Sequence, residues 1–315
     1  MVLRDQPQRD DRLTTRESSA LLGSLSSRDK AILGALYEHR YLDREMIQVL
    51  FYGPAPRPAQ RRLKLLRDAG LVHMWRRLDR PGARTDQASI WLIAKKGARI
   101  LAQARKHDPR PYLSRAADAW VNCWHIDHDL EANGFFVATA AAARTRVDQG
   151  LYHWVGEADC RATYRSEGSA ITPDGFGRYL LREGELVFLL EWDRGTESAP
   201  RLRRKFRAYA NHFERRRDAE FTNTLVVAPS AGRENVLQNL VASLIGGSHS
   251  CSFAFTHVEL LAETGVTGPA WLPVDGGRRR AFEELPLRPR SQLPVDDSIG
   301  QTHWWERRVG GGERS

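Results

Sequence analysis

The stretch from Ile171 to Tyr209, ITPDGFGRYLLREGELVFLLEWDRGTESAPRLRRKFRAY, decides the fold of the second half of this chain. Its hydrophobic run Leu186–Leu190 predicts a buried strand, and a Pro-Asp-Gly turn at Asp174 precedes it. The strand ends in Glu191 and Asp193, and a basic helix follows. The pattern therefore predicts acidic side chains at the ends of two neighbouring strands, beside a positively charged helix.

Acidic groups in this arrangement are how proteins hold Mg²⁺ or Mn²⁺ against a phosphodiester. Asp174 and Glu191 are the predicted metal ligands, and Asp193 is a further acidic candidate. The metal neutralises charge on the phosphate and lowers the pKa of an attacking water. Lys205 lies at the border of the predicted buried stripe of the basic helix, so we expect it to be the phosphate-side cation. That stripe consists of Leu202, Phe206, Tyr209 and Phe213.

The same acidic residues also have an ordinary structural interpretation. Asp174 lies in a turn, where aspartate is common. Glu191 and Asp193 could form ion pairs at the strand end with Arg194 or Arg203. Under this alternative the domain holds DNA without cutting it.

Two other segments carry acidic groups that could support such a site. Glu157 lies on a predicted strand before the Pro-Asp turn and could complete the acidic cluster. The segment Trp124–Asp129 contains two histidines and two aspartates, but a helix that packs its apolar side inward explains it better than a metal site. On that helix Glu131 is the residue placed to lend an acidic group.

The N-terminal half predicts a winged helix-turn-helix domain. Three amphipathic helices are followed by a strand, a basic Gly/Pro loop and a second strand. The segment RLKLLRDAGLV contains the third helix, the glycine that ends it and the start of the first wing strand. In such domains the third helix enters the major groove and the wing contacts the backbone. A winged helix used only for protein contacts is the alternative. The predicted DNA-contact residues of this half are Arg61, Arg62, Lys64, Arg67, Arg76 and Arg77, and Arg201 and Arg204 are added from the basic helix of the second half.

Charge and composition favour a nucleic-acid partner. Lys plus Arg number 48 against 39 Asp plus Glu, which gives a net charge of +9, and arginine predominates. Arginine binds phosphate bidentately, although a GC-rich genome would also raise the arginine content. The three cysteines are far apart, which argues against a structural zinc site. With no signal peptide and no apolar run long enough to cross a bilayer, we expect a cytoplasmic protein with no membrane partner.

The motif resembles that of the PD-(D/E)XK nuclease superfamily, which has Pro-Asp, a spacer, and Asp/Glu-x-Lys on the next strand. Pro173-Asp174 and Glu191-Trp192-Asp193 match it in order and spacing, but Asp193 takes the place of the lysine. Some members of that superfamily supply the lysine from the following helix, where this chain has Lys205. The resemblance implies an α/β (α+β) fold with a mixed sheet and Mg²⁺- or Mn²⁺-dependent cleavage of DNA.

More narrowly, the chain resembles the replication-relaxation family of actinobacterial plasmids and integrating elements. The winged helix, the helix that follows Trp124-His125, and the block P-D-G…E-W-D-R-G-T-E-S…K…Y carry this resemblance. It implies a DNA-binding protein that acts in replication or mobilisation of such an element. If the site is active, the protein is a Mg²⁺-dependent DNA endonuclease. The alternative is a non-enzymatic regulator or accessory factor with a degenerate nuclease fold and no cofactor.

The predicted organisation has four parts. Residues 1–24 are disordered, 25–107 form the winged-helix domain, 112–275 form the PD-(D/E)XK-like domain, and 276–315 form a mobile basic tail. DNA is the expected partner. A replication or transfer protein, bound through the tandem tryptophans of the tail, and a second copy of the chain in a homodimer are further candidates.

Overall fold

A computed structural model describes most of the chain: residues 14–53, 57–76, 89–121, 125–144, 148–215, 221–245 and 252–292. It divides into two compact units, with the division between Asn133 and Gly134. Within the described residues the first unit contains a three-stranded sheet and the second a seven-stranded sheet. No helix in this part of the chain is long and apolar enough to cross a membrane.

The first unit combines helices with a small antiparallel sheet. Its elements are, in chain order, α1 (Thr15–Ser24), α2 (Ser27–His39), β1 (Leu42–Asp43), α3 (Arg44–Tyr52), α4 (Arg57–Asp68), β2 (Val72–Arg76), β3 (Ser89–Ile93), α5 (Lys95–Ala104) and α6 (Pro109–Val121). The next helix, α7 (Ile126–Ala142), crosses into the second unit. The strand order is β1-β3-β2, and both pairings are antiparallel. The predicted succession of three helices and two strands is present, with β1 inserted after the first of the three.

Local sequence signals explain why α4 lies where it does. Leu63 and Leu66 point into the core and are at most 1% exposed, while the basic residues lie around them. The helix ends before Gly70, whose φ of 72° is the left-handed conformation that favours glycine after a helix. Helix α4 therefore presents its charged side to solvent, as the amphipathic pattern predicts.

Two segments of the first half differ from the sequence expectation. Residues 15–24, predicted to be disordered, form α1, because Thr14 and Glu17 make a reciprocal capping box at its start. The predicted domains leave residues 108–111 between them as a connection, but α6 begins at Pro109. Proline is favoured in the first turn of a helix because its missing N–H has no partner there, so the proline signal marked a helix start.

The second unit is a mixed α/β layer structure, which confirms the predicted fold class. Its elements after α7 are β4 (Gly150–Gly156), α8 (Glu157–Ser166), β5 (Gly175–Leu180), β6 (Gly184–Trp192), α9 (Ala199–Glu214), β7 (Thr222–Ala228), α10 (Ala231–Ile245), β8 (Ser252–His257), α11 (Val258–Thr264), β9 (Leu272–Pro273) and β10 (Arg288–Pro289). The strand order is β4-β5-β6-β7-β8-β9, and β10 pairs with β6. Strands β6, β7 and β8 are parallel, and the other pairs are antiparallel.

Strand β6 lies in the middle of this sheet and is covered on both sides. Leu189 packs on the side of α9 and α10 with Phe206 and Tyr209. On the other side Phe188 stacks on Phe136 with ring centroids 5.7 Å apart. A central strand buried on both faces needs an unbroken apolar run, and the LVFLL segment supplies it.

Part of the predicted mobile tail is ordered. Arg288 and Pro289 form β10 and pair with Glu185 and Gly184. Phe282 is fully buried. The Arg/Pro/Gly composition suggested mobility, but a single buried aromatic and a short edge pairing fix residues 276–292 on the sheet. The tandem tryptophans and the rest of the tail lie outside the described residues.

Candidate functional site

The two predicted metal ligands meet on neighbouring strands. Strands β5 and β6 pair with Gly175 opposite Leu190, so Asp174, one residue earlier, lies opposite Glu191. The backbone N–H of Asp174 donates to the Leu190 carbonyl (2.9 Å), and the N–H of Trp192 donates to Asp174 Oδ2 (2.7 Å). Directly opposite residues of an antiparallel pair project from the same face of the sheet. The Pro-Asp turn and the strand end therefore place both carboxylates on one side.

The glycine of the Pro-Asp-Gly turn is required by close packing. A Cβ atom at Gly175 would lie 2.4 Å from the Phe136 ring. Any larger residue would push β5 away from α7 directly beside Asp174. The turn sequence therefore positions the aspartate as well as reversing the chain.

Lys205 of α9 reaches the same carboxylates. Its ammonium forms an ion pair with Glu191 and lies 3.6 Å from Glu197 Oε2. The Tyr209 hydroxyl donates to the other oxygen of Glu191, which is 1% exposed. The predicted stripe of α9 is buried, so the side of the helix that carries Lys205 is turned toward the strand ends. The structure thus brings together Asp174, Glu191 and Lys205.

The charges of these groups are strongly coupled. Burial raises the pKa of Glu191 to about 7; Lys205 opposes this rise and Asp174 adds to it. Burial works against the charged form of Lys205, but the charges of Glu191 and Asp174 outweigh it and raise its pKa above the usual range. The two directions are compatible: Lys205 keeps its proton because carboxylates surround it, and Glu191 binds a proton more readily than an ordinary carboxyl because it is buried beside Asp174.

Glu197 is a member of this cluster that the sequence reasoning missed. It precedes the Ser198 cap of α9, and its Oε1 lies 2.7 Å from Arg201 Nε. Its position directly before the start of a helix was the available signal, because acidic side chains are favoured near a helix N-terminus. Glu197 gives the lysine a second carboxylate partner at the rim of the site.

Asp193 has a different partner. Its Oδ2 accepts from Arg233 Nε of α10 (2.6 Å), and its Oδ1 accepts from the backbone N–H of Gly195 (3.0 Å). Arg233 also donates to the carbonyl of Glu197 (3.1 Å). These contacts favour the ion-pair interpretation of Asp193 over a metal ligand, with Arg233 in place of the expected Arg194 or Arg203. They hold the loop that positions Glu197.

One supporting acidic candidate lies at the same end of the sheet as Asp174, because Glu157 follows Gly156, which pairs with Gly175. Glu157 is the first residue of α8, not part of a strand, and pairs with Arg161 four residues on. Glu131 lies in the part of α7 that belongs to the first unit.

The predicted DNA-contact residues fall into two groups. Arg61, Lys64 and Arg204 are exposed. Arg62 instead donates to both oxygens of Asp29, at 2.6 and 2.5 Å, and so ties α4 to the start of α2. Arg67 and Arg201 pair with neighbouring carboxylates: Asp68 (3.6 Å) and Glu197. The side chain of Arg76 and the whole of Arg77 lie outside the described residues.

The donor set of the cluster suits a small hard cation. Among the described residues no group of three or more His, Cys, Asp and Glu is arranged to hold a metal ion. Mg²⁺ commonly takes only one or two protein carboxylates and completes its shell with water and phosphate oxygens. Asp174 and Glu191, two carboxylates opposite each other, fit that smaller requirement.

Comparison with known proteins identifies the family of the chain. A family model described as replication-relaxation matches residues 33–227, which include Asp174, Glu191 and Lys205 but not Arg233. No curated protein and no solved structure matches the chain. Because the family match covers more than half of its length, the chain belongs to the replication-relaxation family.

Proposed function

We propose that this protein binds the DNA of a plasmid or integrative element during its replication or mobilisation, and cleaves it with Mg²⁺ or Mn²⁺. Membership of the replication-relaxation family indicates the role in replication or mobilisation. The single observation that carries the nuclease proposal is the position of Asp174 opposite Glu191, with Lys205 supplied by the next helix. This is the placement that a PD-(D/E)XK-type site needs.

Asp174 and Glu191 would hold the cation. Hydrogen bonds from the protein orient both carboxylates: the Trp192 N–H donates to Asp174, and the Tyr209 hydroxyl donates to Glu191. Such contacts orient a ligand carboxylate before the metal arrives. When bound, the metal would neutralise charge on the phosphate and lower the pKa of a bound water.

Lys205 would change partners in this process. Its ammonium is paired with Glu191, and Glu197 lies 3.6 Å away. With a cation held by Glu191, the Lys205 ammonium would pair with Glu197, which would keep the lysine charged at the edge of the site. There it is placed to stabilise negative charge on a phosphate.

The exposed basic side of α4 would bind duplex DNA in the manner of a winged helix. Arg61 and Lys64 are exposed on it, whereas Arg62 is held by Asp29. We expect Arg61→Gln and Lys64→Gln each to lower the salt slope of duplex binding by about 1, because each removes one phosphate contact. Fluorescence anisotropy over a salt series measures this. An unchanged slope in the double variant contradicts the assignment of α4.

Plasmid cleavage tests the nuclease proposal. With Mg²⁺ or Mn²⁺ we expect supercoiled plasmid to be nicked or linearised, and Asp174→Asn to lose at least about 100-fold in rate, more than loss of an outer-shell contact would cause. The matched control is Glu183→Gln on the exposed β5–β6 turn. Full activity in Asp174→Asn removes the assigned chemistry.

A non-enzymatic DNA-binding factor is the second candidate. Both oxygens of Glu191 already have protein partners, Tyr209 and Lys205, which favours a structural role for this carboxylate. This candidate predicts salt-sensitive DNA binding without Mn²⁺ binding. Calorimetric titration with Mn²⁺ separates the two candidates without relying on cleavage.

A further inference from the structure

A cavity of about 280 Å³ lies on the same face of the second unit's sheet as the candidate site. Side chains alternate along a strand, so Phe176 and Arg178 of β5 share the face of Asp174. Both line the cavity. Arg178 is four residues from Asp174, or roughly 13 Å at 3.3 Å per residue. The cavity is therefore separate from the carboxylate cluster but lies along the same surface.

Two arginines make one wall of this cavity, and a single buried carboxylate lies beneath them. Arg178 Nε is 2.6 Å from Glu185 Oε1, and Arg288 Nη1 is 3.4 Å from Glu185 Oε2. Glu185 is fully buried. Two guanidinium groups that share one carboxylate carry a surplus positive charge. Glu167, a carboxylate that lines the cavity, is exposed, so solvent screens its charge.

The electrostatics of the arginine pair agree with that surplus. Burial lowers the pKa of Arg178, and the charge of Arg288 lowers it further. An anion placed against the two guanidinium groups would relieve this repulsion. Arginine's planar fork binds phosphate oxygens bidentately.

Three aromatic side chains, the aromatic wall, also line the cavity: Tyr164, Phe176 and Phe213. Phe176 is held edge-on by His153 with centroids 5.7 Å apart, and Tyr164 by His212 at 5.3 Å. Nucleobases stack on such rings without regard to sequence. The volume is near the lower limit for small-molecule pockets, which restricts the occupant to about one nucleotide.

We propose that this cavity binds a single nucleotide unit, with its phosphate against Arg178 and Arg288 and its base against the aromatic wall. Its source is either a free nucleotide or a nucleotide of a DNA strand. A B-form strand presents one phosphate per 3.4 Å of axis, so the roughly 13 Å to Asp174 spans about four phosphates. A strand held in the cavity would extend toward the carboxylates, and this last step rests on the proposed function.

Binding of deoxyadenosine 5′-monophosphate to the full chain tests the proposal. Calorimetry in EDTA at fixed salt is expected to show saturable binding, and deoxyadenosine, which lacks the phosphate, to bind at least about tenfold more weakly. Arg288→Gln should weaken the monophosphate by about the same factor. The matched control is Arg182→Gln, since the Arg182 side chain is 77% exposed.

A second variant separates the two walls. Phe176→Leu removes a ring but keeps an apolar side chain, so it should weaken the monophosphate and leave inorganic phosphate binding unchanged. Thermal unfolding of each variant shows whether it folds. If Arg288→Gln does not fold, Phe176→Leu tests the proposal in its place. Equal affinity for the monophosphate and deoxyadenosine, the same loss in Arg182→Gln, or no saturable binding overturns the proposal.

The source of the nucleotide and the proposed nuclease function are tested apart. A 5′-phosphorylated oligonucleotide that displaces the monophosphate identifies a DNA strand as the occupant; monophosphate binding that persists identifies the free nucleotide. Nucleotide binding is measured in EDTA, which removes divalent cations, so it does not depend on the nuclease site. Nucleotide binding without plasmid cleavage would support the nucleotide-binding proposal and contradict only the nuclease proposal. Plasmid cleavage without nucleotide binding would support the nuclease proposal and contradict only the nucleotide-binding proposal.

Discussion

Glu185 and Glu191 occupy opposite ends of the same face of strand β6, and their surroundings differ in sign. Glu185 lies under Arg178 and Arg288, so that end carries surplus positive charge. Glu191 pairs with Lys205 and lies beside a second carboxylate, Asp174, whose charge adds to the rise of its pKa, so two carboxylates lie together at that end. One end of the strand therefore favours an anion, and the other end favours a cation. Both glutamates are buried, so burial does not distinguish them. The charges of the neighbouring residues determine which ion each end can bind.

The largest expected effect is on stability at the positive end. Glu185→Gln removes the buried carboxylate that pairs with both Arg178 and Arg288, and should lower the free energy of unfolding by about 3 kcal/mol. Urea unfolding measures this, with Glu183→Gln on the exposed turn as the matched control. A loss no greater than that of the control would mean that the two arginines do not depend on Glu185.

The same substitution at the other end should cost less. Glu191→Gln leaves Lys205 with Asp174 and Glu197, so the ammonium keeps carboxylates nearby. We expect a loss of about 1 kcal/mol, the usual worth of one hydrogen bond such as that from Tyr209. Urea unfolding under the same conditions gives the comparison. If this variant is less stable than Glu185→Gln, the assigned charge difference between the two ends is wrong.

A substitution at Asp193 tests which carboxylates near Glu191 bind the metal. Asp193→Asn weakens the pair with Arg233 and should lower stability by about 1 kcal/mol, while Mn²⁺ binding is retained. Unfolding and calorimetry on one preparation measure both. Loss of Mn²⁺ binding with unchanged stability would restore Asp193 as a metal ligand.

The dependence on pH should be opposite for folding and for metal binding. Burial raises the pKa of Glu185 and of Glu191 to about 7, above the usual value of 4.5. Between these values the folded chain holds more protons than the unfolded chain, so both groups make it less stable as the pH rises from 4.5 to 7. Mn²⁺ competes with the proton on Glu191, so its affinity should rise over the same interval.

Two variants separate these contributions. Glu185→Gln should flatten part of the pH dependence of stability and leave that of Mn²⁺ binding unchanged. Glu191→Gln should affect both. A Mn²⁺ affinity that does not change between pH 5 and pH 7 would show that Glu191 is not a ligand.

The elements around the site were predictable because their signals are local. An unbroken apolar run gave β6, the Pro-Asp-Gly turn gave the start of β5, and the spacing of Leu202 to Phe213 gave the buried side of α9. Those three features also place Lys205 at the strand ends. Period and turn chemistry act over a few residues, so a single sequence contains them.

The missed features depend on contacts between distant residues. Asp193 and Arg233 are 40 residues apart, and Glu185 and Arg288 are 103 apart. Nothing in the local sequence says that an Arg/Pro-rich segment returns to pair with β6 or that Phe282 is buried. The cavity lined by Arg178 and Arg288 could therefore not be predicted from the sequence, whereas the carboxylate cluster, which lies within residues 174–209, could.

Calorimetric titration with Mn²⁺ tests most directly whether the two ends of β6 differ as described. The account predicts that wild-type protein and Glu185→Gln bind Mn²⁺ with similar affinity at pH 8, and that Glu191→Gln loses at least about 100-fold. No Mn²⁺ binding by the wild type, or equal binding by Glu191→Gln, would contradict it.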